Sequence, residues 1–232
     1  TERTAADNLA REGILGERVA FVGNVMIDSL LFHRSRAQAP GETVAAAGIS
    51  PEIVSRPEGY AVVTLHRPSN VDSAATLQPL LEVLREVSER LPLVFALHPR
   101  TKSNIAKFGL ESIVATPRMV MLPPQGYLEM VGLMAGAKLV LTDSGGLQEE
   151  TTALGVPCLT MRENTERPIT IDQGTNTLVG RDRKAIVDGV DEILSVGGKR
   201  GRVPEYWDGE AASRIAADLA GWLLDRHRAA LS

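Results

Sequence analysis

The sequence holds one cysteine, Cys158, among 232 residues. An internal disulfide is therefore excluded. The lone thiol, in the apolar run from Val156 to Leu159, reads as a small core residue of a protein in a reducing, cytoplasmic setting. No apolar run approaches the ~20 residues of a membrane-spanning helix. Cationic excess is also missing: the formal net charge is −4, so neither nucleic acid nor a membrane is an expected partner. No Gly-x-Gly-x-x-Gly follows a strand and no Gly-Lys-Ser/Thr loop is present, which disfavours dinucleotide binding and ATP hydrolysis. Spaced Cys/His clusters are lacking too, so no metal and no cofactor is expected.

What is there centres on Leu141 to Glu150, Leu-Thr-Asp-Ser-Gly-Gly-Leu-Gln-Glu-Glu. The apolar run from Ala137 to Thr142 predicts a buried strand of a parallel sheet. Asp143 and Ser144 are helix-capping residue types, and Leu147 to Leu154 reads as a short helix closed by Gly155, with Pro157 beyond. Two glycines at the start of a helix each cost about 1 kcal/mol against alanine. They make sense where a ligand approaches bare backbone, and amide groups at a helix start beyond a parallel strand form an anion site. A diphosphate fits that description. A tight strand-to-helix turn without ligand is the alternative. Glu149 and Glu150, one turn in, stand where a carboxylate would meet a ribose diol, or else on a solvated helix face.

Around this stretch the chain alternates. Strands are expected at Arg18–Val22, Tyr60–Leu65, Leu93–Leu97, Met119–Leu122, Leu139–Thr142, Pro157–Thr160 and Thr177–Val179. Helices are expected near residues 4–12, 25–32, 73–90, 101–108, 125–135 and 184–194, with a long one from Glu210 to Leu231. The Ala/Gly/Pro/Ser-rich stretch from Arg36 to Gly59 reads as a connection with one short helical turn. Such alternation implies right-handed crossovers and an α/β, doubly wound, Rossmann-like parallel sheet.

In that architecture a ligand lies beyond the carboxyl ends of the strands. Those ends carry His66-Arg67, His98-Pro99-Arg100, Pro123-Pro124-Gln125, Ser144-Gly145-Gly146 and the segment Arg162 to Pro168. Arg167 is able to clamp a phosphate bidentately. His66 is able to donate to a phosphate or transfer a proton, or simply to cap a strand end. Pro99 favours a structural turn at His98. Arg162 is able to pair with Glu163 or Glu166. His33 and His227 fall on helices and read as solvent-facing.

These residues resemble the non-hydrolysing UDP-N-acetylglucosamine 2-epimerases. The resemblance rests on Gly23-Asn24 with Ile27-Asp28, Thr64 to Arg67, His98-Pro99, Pro124-Gln125 with Tyr127-Leu128, Asp143 to Glu150, Ala153 to Pro157, Thr165 to Pro168, Gly174-Thr175, and Asp208-Gly209 with Arg214-Ile215. It implies the two-domain glycosyltransferase-B fold. It also implies interconversion of UDP-N-acetylglucosamine and UDP-N-acetylmannosamine by elimination of UDP to 2-acetamidoglucal and re-addition. On this resemblance Ser144, Gly145 and Gly146 hold the diphosphate, Glu150 the ribose, Gln125 the uracil and Arg167 a phosphate. Met130 lies near the base, His66 is the active-site histidine, and His98 matches a histidine that contacts a second, regulatory UDP-sugar in some members.

The resemblance further implies a homodimer and an N-terminal domain preceding Thr1 that carries the acid/base carboxylates. The expected layout is residues 1–35 as the trailing edge of that domain and hinge, 36–203 as the UDP-binding domain, and 204–232 as a helix crossing back. The expectation is a chain that binds UDP weakly and turns over little or nothing alone. The family's usual Gly-His-Arg-Arg-Glu-Asn is here Leu65-His66-Arg67-Pro68-Ser69-Asn70, which lacks the second Arg and the Glu. A glycosyltransferase of the same architecture, a hydrolysing relative and a non-catalytic nucleotide-sugar sensor are the rival readings.

Overall fold

The computed structural model describes residues 1–231, with side chains described for all of these except Glu17, Asp225 and 227–231. His227 thus lies outside the described side chains. The chain divides into two compact units, residues 36–202 and a second formed by 1–35 with 203–232.

The larger unit is built on one six-stranded, all-parallel sheet: β1 (Ala61–Thr64), β2 (Leu93–Ala96), β3 (Met119–Leu122), β4 (Leu139–Thr142), β5 (Cys158–Thr160) and β6 (Asn176–Leu178). The spatial order is β3-β2-β1-β4-β5-β6, the doubly wound order whose direction reverses between β1 and β4. Strands covered on both faces need apolar residues at every position, and Leu-Val-Phe-Ala of β2 and Leu-Val-Leu-Thr of β4 are buried throughout.

Alternate residues feed two cores. Ala61 and Val63 join the face covered by the helices Ala74–Ser88 and Arg183–Val196 through Leu77, Leu81, Leu84, Ile186 and Val190. Val62, Val94 and Val140 join the opposite face with Leu133 and Met134 of the helix Tyr127–Gly136. That helix lies so close to the incoming chain that a Cβ at Gly132 would stand 1.8 Å from the Gln38 carbonyl oxygen.

The stretch from Arg36 to Gly59 is more than a connection. It forms the helix Pro40–Ala46 and a 3-10 turn Pro51–Val54. Val44 and Ile53 are buried in the second core. Each piece starts on a proline, which suits the first helical position. Short helices at Pro68–Val71, Glu111–Val114 and Pro168–Asp172 also went unanticipated. Pieces of four or five residues are too brief to show a period.

In the smaller unit, the strand expected at Arg18–Val22 is absent. Gly16–Arg18 is a 3-10 turn and the chain beyond it joins no sheet among the described residues. Asp28 accepts from the Ala211 and Ala212 amides at 3.2 and 2.7 Å and so starts the terminal helix Ala211–Leu231. Arg214 pairs with Asp208 at 2.5 Å and lies 4.0 Å over the Tyr206 ring. Leu219, Trp222 and Leu223 remain about half exposed. His33, read as solvent-facing, is half-buried.

Candidate functional site

At the reversal point the loops after β1 and β4 stand side by side. Thr64 and Thr142 share a 2.6 Å hydroxyl contact, and the Thr142 hydroxyl accepts from the Ser144 amide at 2.9 Å. The helix Gly145–Leu154 begins here, two residues earlier than expected. Ser144 occupies its cap position but its side chain makes no capping hydrogen bond. Nor does Asp143 cap it, contrary to the residue-type argument.

Asp143 instead points back across the sheet. Completely buried, its carboxylate accepts from the His66 and Arg67 amides at 3.0 and 2.8 Å. It also accepts from the Asn70 side-chain amide at 3.2 Å. The imidazole Nδ1 of His66 lies 2.9 Å from its other oxygen. Asn70 donates further to the Met161 carbonyl at 2.9 Å, which ties the loops after β1, β4 and β5 together.

A cleft of about 250 Å³ opens over this junction, lined by His66, His98, Gln125, Met130, Ser144 and Leu147 among others. Five residues expected in the site are thus brought together, four from strand ends and Met130 from the helix Tyr127–Gly136. The His66 and His98 rings are 5.7 Å apart. His98 also carries the structural duty suggested by Pro99: its Nδ1 accepts from the Arg100 amide at 3.2 Å, capping the helix Pro99–Lys107.

Gly145, Gly146, Glu150 and Arg167 are not among the residues lining this cleft, although the two glycines fall between its lining residues Ser144 and Leu147. A Cβ at Gly145 would meet nothing nearer than Arg67 Nη2 at 3.8 Å and Glu166 Oε2 at 3.9 Å. Packing within the protein therefore does not demand that glycine; it leaves room over the helix start. Neither Glu149 nor Glu150 is on a solvated face, for they are 2% and 6% exposed. Glu149 forms an ion pair with Arg167 at 3.1 Å. Burial pushes the Glu150 carboxyl above the usual range, opposed by a hydrogen bond with Tyr127 and reinforced by Glu149. Burial and Glu150 together raise the Tyr127 phenol to about 12.

Arg162 resolves its choice of partners in favour of Glu166, at 2.7 and 2.8 Å, and its hydrogen bonds lower the Glu166 carboxyl to about 2. The segment from Arg162 to Pro168 is held by a buried network that was not anticipated. Gln148 Oε1 accepts from Thr165 at 2.6 Å and from Asn176 at 3.1 Å, and Thr165 accepts from the Arg167 amide at 3.0 Å. The available signal was a glutamine on a helix turn that a parallel sheet must bury.

A switch-point cleft beside a helix start left open marks a doubly wound, Rossmann-like α/β protein with a place suited to an anion. Comparison with known proteins narrows this. Residues 1–220 match the sequence profile of the UDP-N-acetylglucosamine 2-epimerase family, and the chain belongs to that family. It is 38% identical over 195 residues to the UDP-N-acetylglucosamine 2-epimerase of Methanococcus maripaludis, covering 83% of this chain and 52% of the relative. It is 39% identical over 225 residues to the UDP-2,3-diacetamido-2,3-dideoxy-D-glucuronate 2-epimerase of Pseudomonas aeruginosa, covering 94% and 58%. The Methanocaldococcus jannaschii UDP-GlcNAc 2-epimerase, solved in complex with UDP-GlcNAc and UDP, superposes with a TM-score of 0.78 at 34% identity, covering 93% of this chain and 59% of that one. The chain spans a little over half the length of these relatives. Among the described residues, no helix is long and apolar enough to cross a membrane.

Proposed function

We propose that this chain forms the UDP-holding part of a non-hydrolysing 2-epimerase, an isomerase that interconverts UDP-N-acetylglucosamine and UDP-N-acetylmannosamine through UDP elimination and re-addition. The observation that carries the reading is the open start of the helix Gly145–Leu154, set beside a cleft that collects His66, Gln125, Met130 and Ser144. In this reading the amides from Ser144 to Gly146 and the Arg167 guanidinium hold the diphosphate. The Glu150 carboxylate takes the ribose, while Gln125 and Met130 take the uracil. His66 faces the leaving diphosphate, and His98 is open to a second, regulatory UDP-sugar. Residues 36–203 are the nucleotide domain in this scheme. Residues 1–35 and 204–232 serve the junction with the sugar-handling part.

Among the described residues, no carboxylate lines the cleft. We therefore assign this chain nucleotide retention and leaving-group stabilisation, and proton transfer at C2 to groups beyond it. Calorimetric titration with UDP is expected to show one site per chain, while the chain alone leaves UDP-N-acetylglucosamine unconverted. Absence of UDP binding, or full-rate epimerisation by the chain alone, would sink this assignment. Assembly as a homodimer in the cytoplasm belongs to the same reading, and sedimentation velocity decides the dimer. The identity to the Pseudomonas aeruginosa protein favours a second reading of the sugar, a diacetamido uronate. Competing the two sugar nucleotides against labelled UDP separates these.

A further inference from the structure

We infer that Asp143 is the positioning residue that makes His66 Nε2 the working atom of the cleft. The inference rests on the nucleotide reading for its consequence but on geometry for its substance. A buried carboxylate needs donors on its lone pairs. Asp143 has three neutral N–H donors, from His66, Arg67 and Asn70, and these hold it in place. The fourth neighbour is His66 Nδ1 at 2.9 Å. An ionised carboxylate only accepts, so Nδ1 must carry its proton in both the neutral and the cationic ring. The side chain of His66 is 35% exposed and lines the cleft, so Nε2 is the ring atom left to face a ligand.

Nε2 is accordingly an acceptor when the ring is neutral and a donor when it is charged, and every proton that His66 exchanges in the cleft passes through it. As UDP departs, negative charge grows on the diphosphate. An imidazolium whose far side already rests on Asp143 donates Nε2–H to that charge without reorienting, and it regains neutrality when Nε2 gives up the proton. The bonds of Asn70 to Asp143 and to the Met161 carbonyl fix the carboxylate relative to the loop after β5. The dyad is thereby aligned with the segment that carries Arg167.

The first test is a long-range proton–nitrogen correlation spectrum of the uniformly ¹⁵N-labelled chain at alkaline pH, with the His66 signals assigned by their loss in His66→Ala. A protonated Nδ1 and a pyridine-type Nε2 are expected; a ring protonated on Nε2 overturns the inference. The second is a calorimetric cycle with UDP. Asp143→Asn is expected to weaken UDP binding about tenfold in the parent and less than about twofold once His66 is alanine. Equal weakening in both backgrounds would mean that Asp143 acts on the fold alone, and would refute the positioning role. A chain that shows the Nδ1–H ring but ignores UDP would refute the nucleotide reading and leave the dyad standing.

Discussion

Arg167→Ala removes two things at once, and they can be measured apart. Its guanidinium lies 3.1 Å from a carboxylate oxygen of Glu149, whose side chain is 2% exposed, while that of Arg167 is 39% exposed. Removing one partner of a fully buried pair costs about 3–5 kcal/mol, whereas fully exposed pairs are worth about 0–1 kcal/mol. A pair buried on one side and open on the other falls between, so the expected loss of stability is about 1–3 kcal/mol. In a chain of this size that lowers Tm by about 2–4 °C per kcal/mol. Separately, the lost charge-assisted bonds to a phosphate are worth about 1.5–3 kcal/mol, which raises the UDP Kd about ten- to hundredfold. The double variant Glu149→Gln, Arg167→Ala removes the stranded charge but not the lost donor. It is expected to recover most of the stability by urea unfolding while UDP calorimetry stays as poor as in the single variant. Recovery of UDP binding in the double variant would show that Arg167 acts only by holding Glu149, and the phosphate role would fall.

Other consequences are open to simpler assays. Gly132→Ala is expected to lower stability by about 1–3 kcal/mol, because overpacking against the Gln38 backbone outweighs the helix-propensity gain of about 1 kcal/mol. Gly221→Ala, in the terminal helix with nothing within 4 Å, is expected to stabilise by up to about 1 kcal/mol; denaturant curves that move the same way for both would refute the packing argument. Glu150 has a folded-state pKa raised chiefly by burial, so its contribution is most favourable below the unfolded carboxyl pKa of ~4.3 and is lost as pH rises through the folded value. Glu150→Gln is therefore expected to raise Tm at pH 7 and not at pH 4, while weakening UDP binding; a pH-independent Tm difference would contradict it. Cys158 is completely buried, and burial raises its thiol to about 11, so an aromatic disulfide reagent at pH 8 should label it only at the rate of unfolding.

How far the sequence discloses this structure depends on what each element needs. β4, buried at every position, forms the inner part of the apolar run that begins at Ala137, and β3, an edge strand with Val120 and Met121 only partly buried, keeps its expected bounds because all four of its residues are apolar. β6 was expected one residue late. Asn176 looks like a turn residue, yet it lies buried in the strand, donating to Gln148 and accepting from Thr160. The helix Pro40–Ala46 hid in a composition typical of loops, since Ala and Gly suffice where only Thr43 and Val44 need to be buried. On the rim, reading the strand ends brings His66, His98, Gln125 and Ser144 to one cleft, and spacing along a sheet edge is enough for that; Met130, in the helix Tyr127–Gly136, comes from the family resemblance alone. The partners of those residues came from other segments, which spacing does not reveal.

Asp143 shows the limit most clearly, and explains the glycines that follow it. By residue type an Asp before a helix should cap it. Here the carboxylate faces the loop after β1, and Ser144 makes no side-chain cap either. The helix Gly145–Leu154 therefore starts without the side-chain acceptor that its first amides ordinarily receive. Gly145 keeps the space above them clear: outside its own turn of helix, only the Arg67 and Glu166 side-chain tips come within 4 Å of where its Cβ would stand. One turning of one side chain thus has two effects. It fixes the ring of His66 on one side, and on the other it reserves the helix start for an acceptor that the protein does not supply. An anion placed there would meet the helix dipole, the open amides and the His66 ring together. A sequence reader sees an Asp-Ser-Gly-Gly turn and can infer the open amides from the glycines. That the aspartate serves the histidine 77 residues earlier follows only from the crossover that sets β4 beside β1.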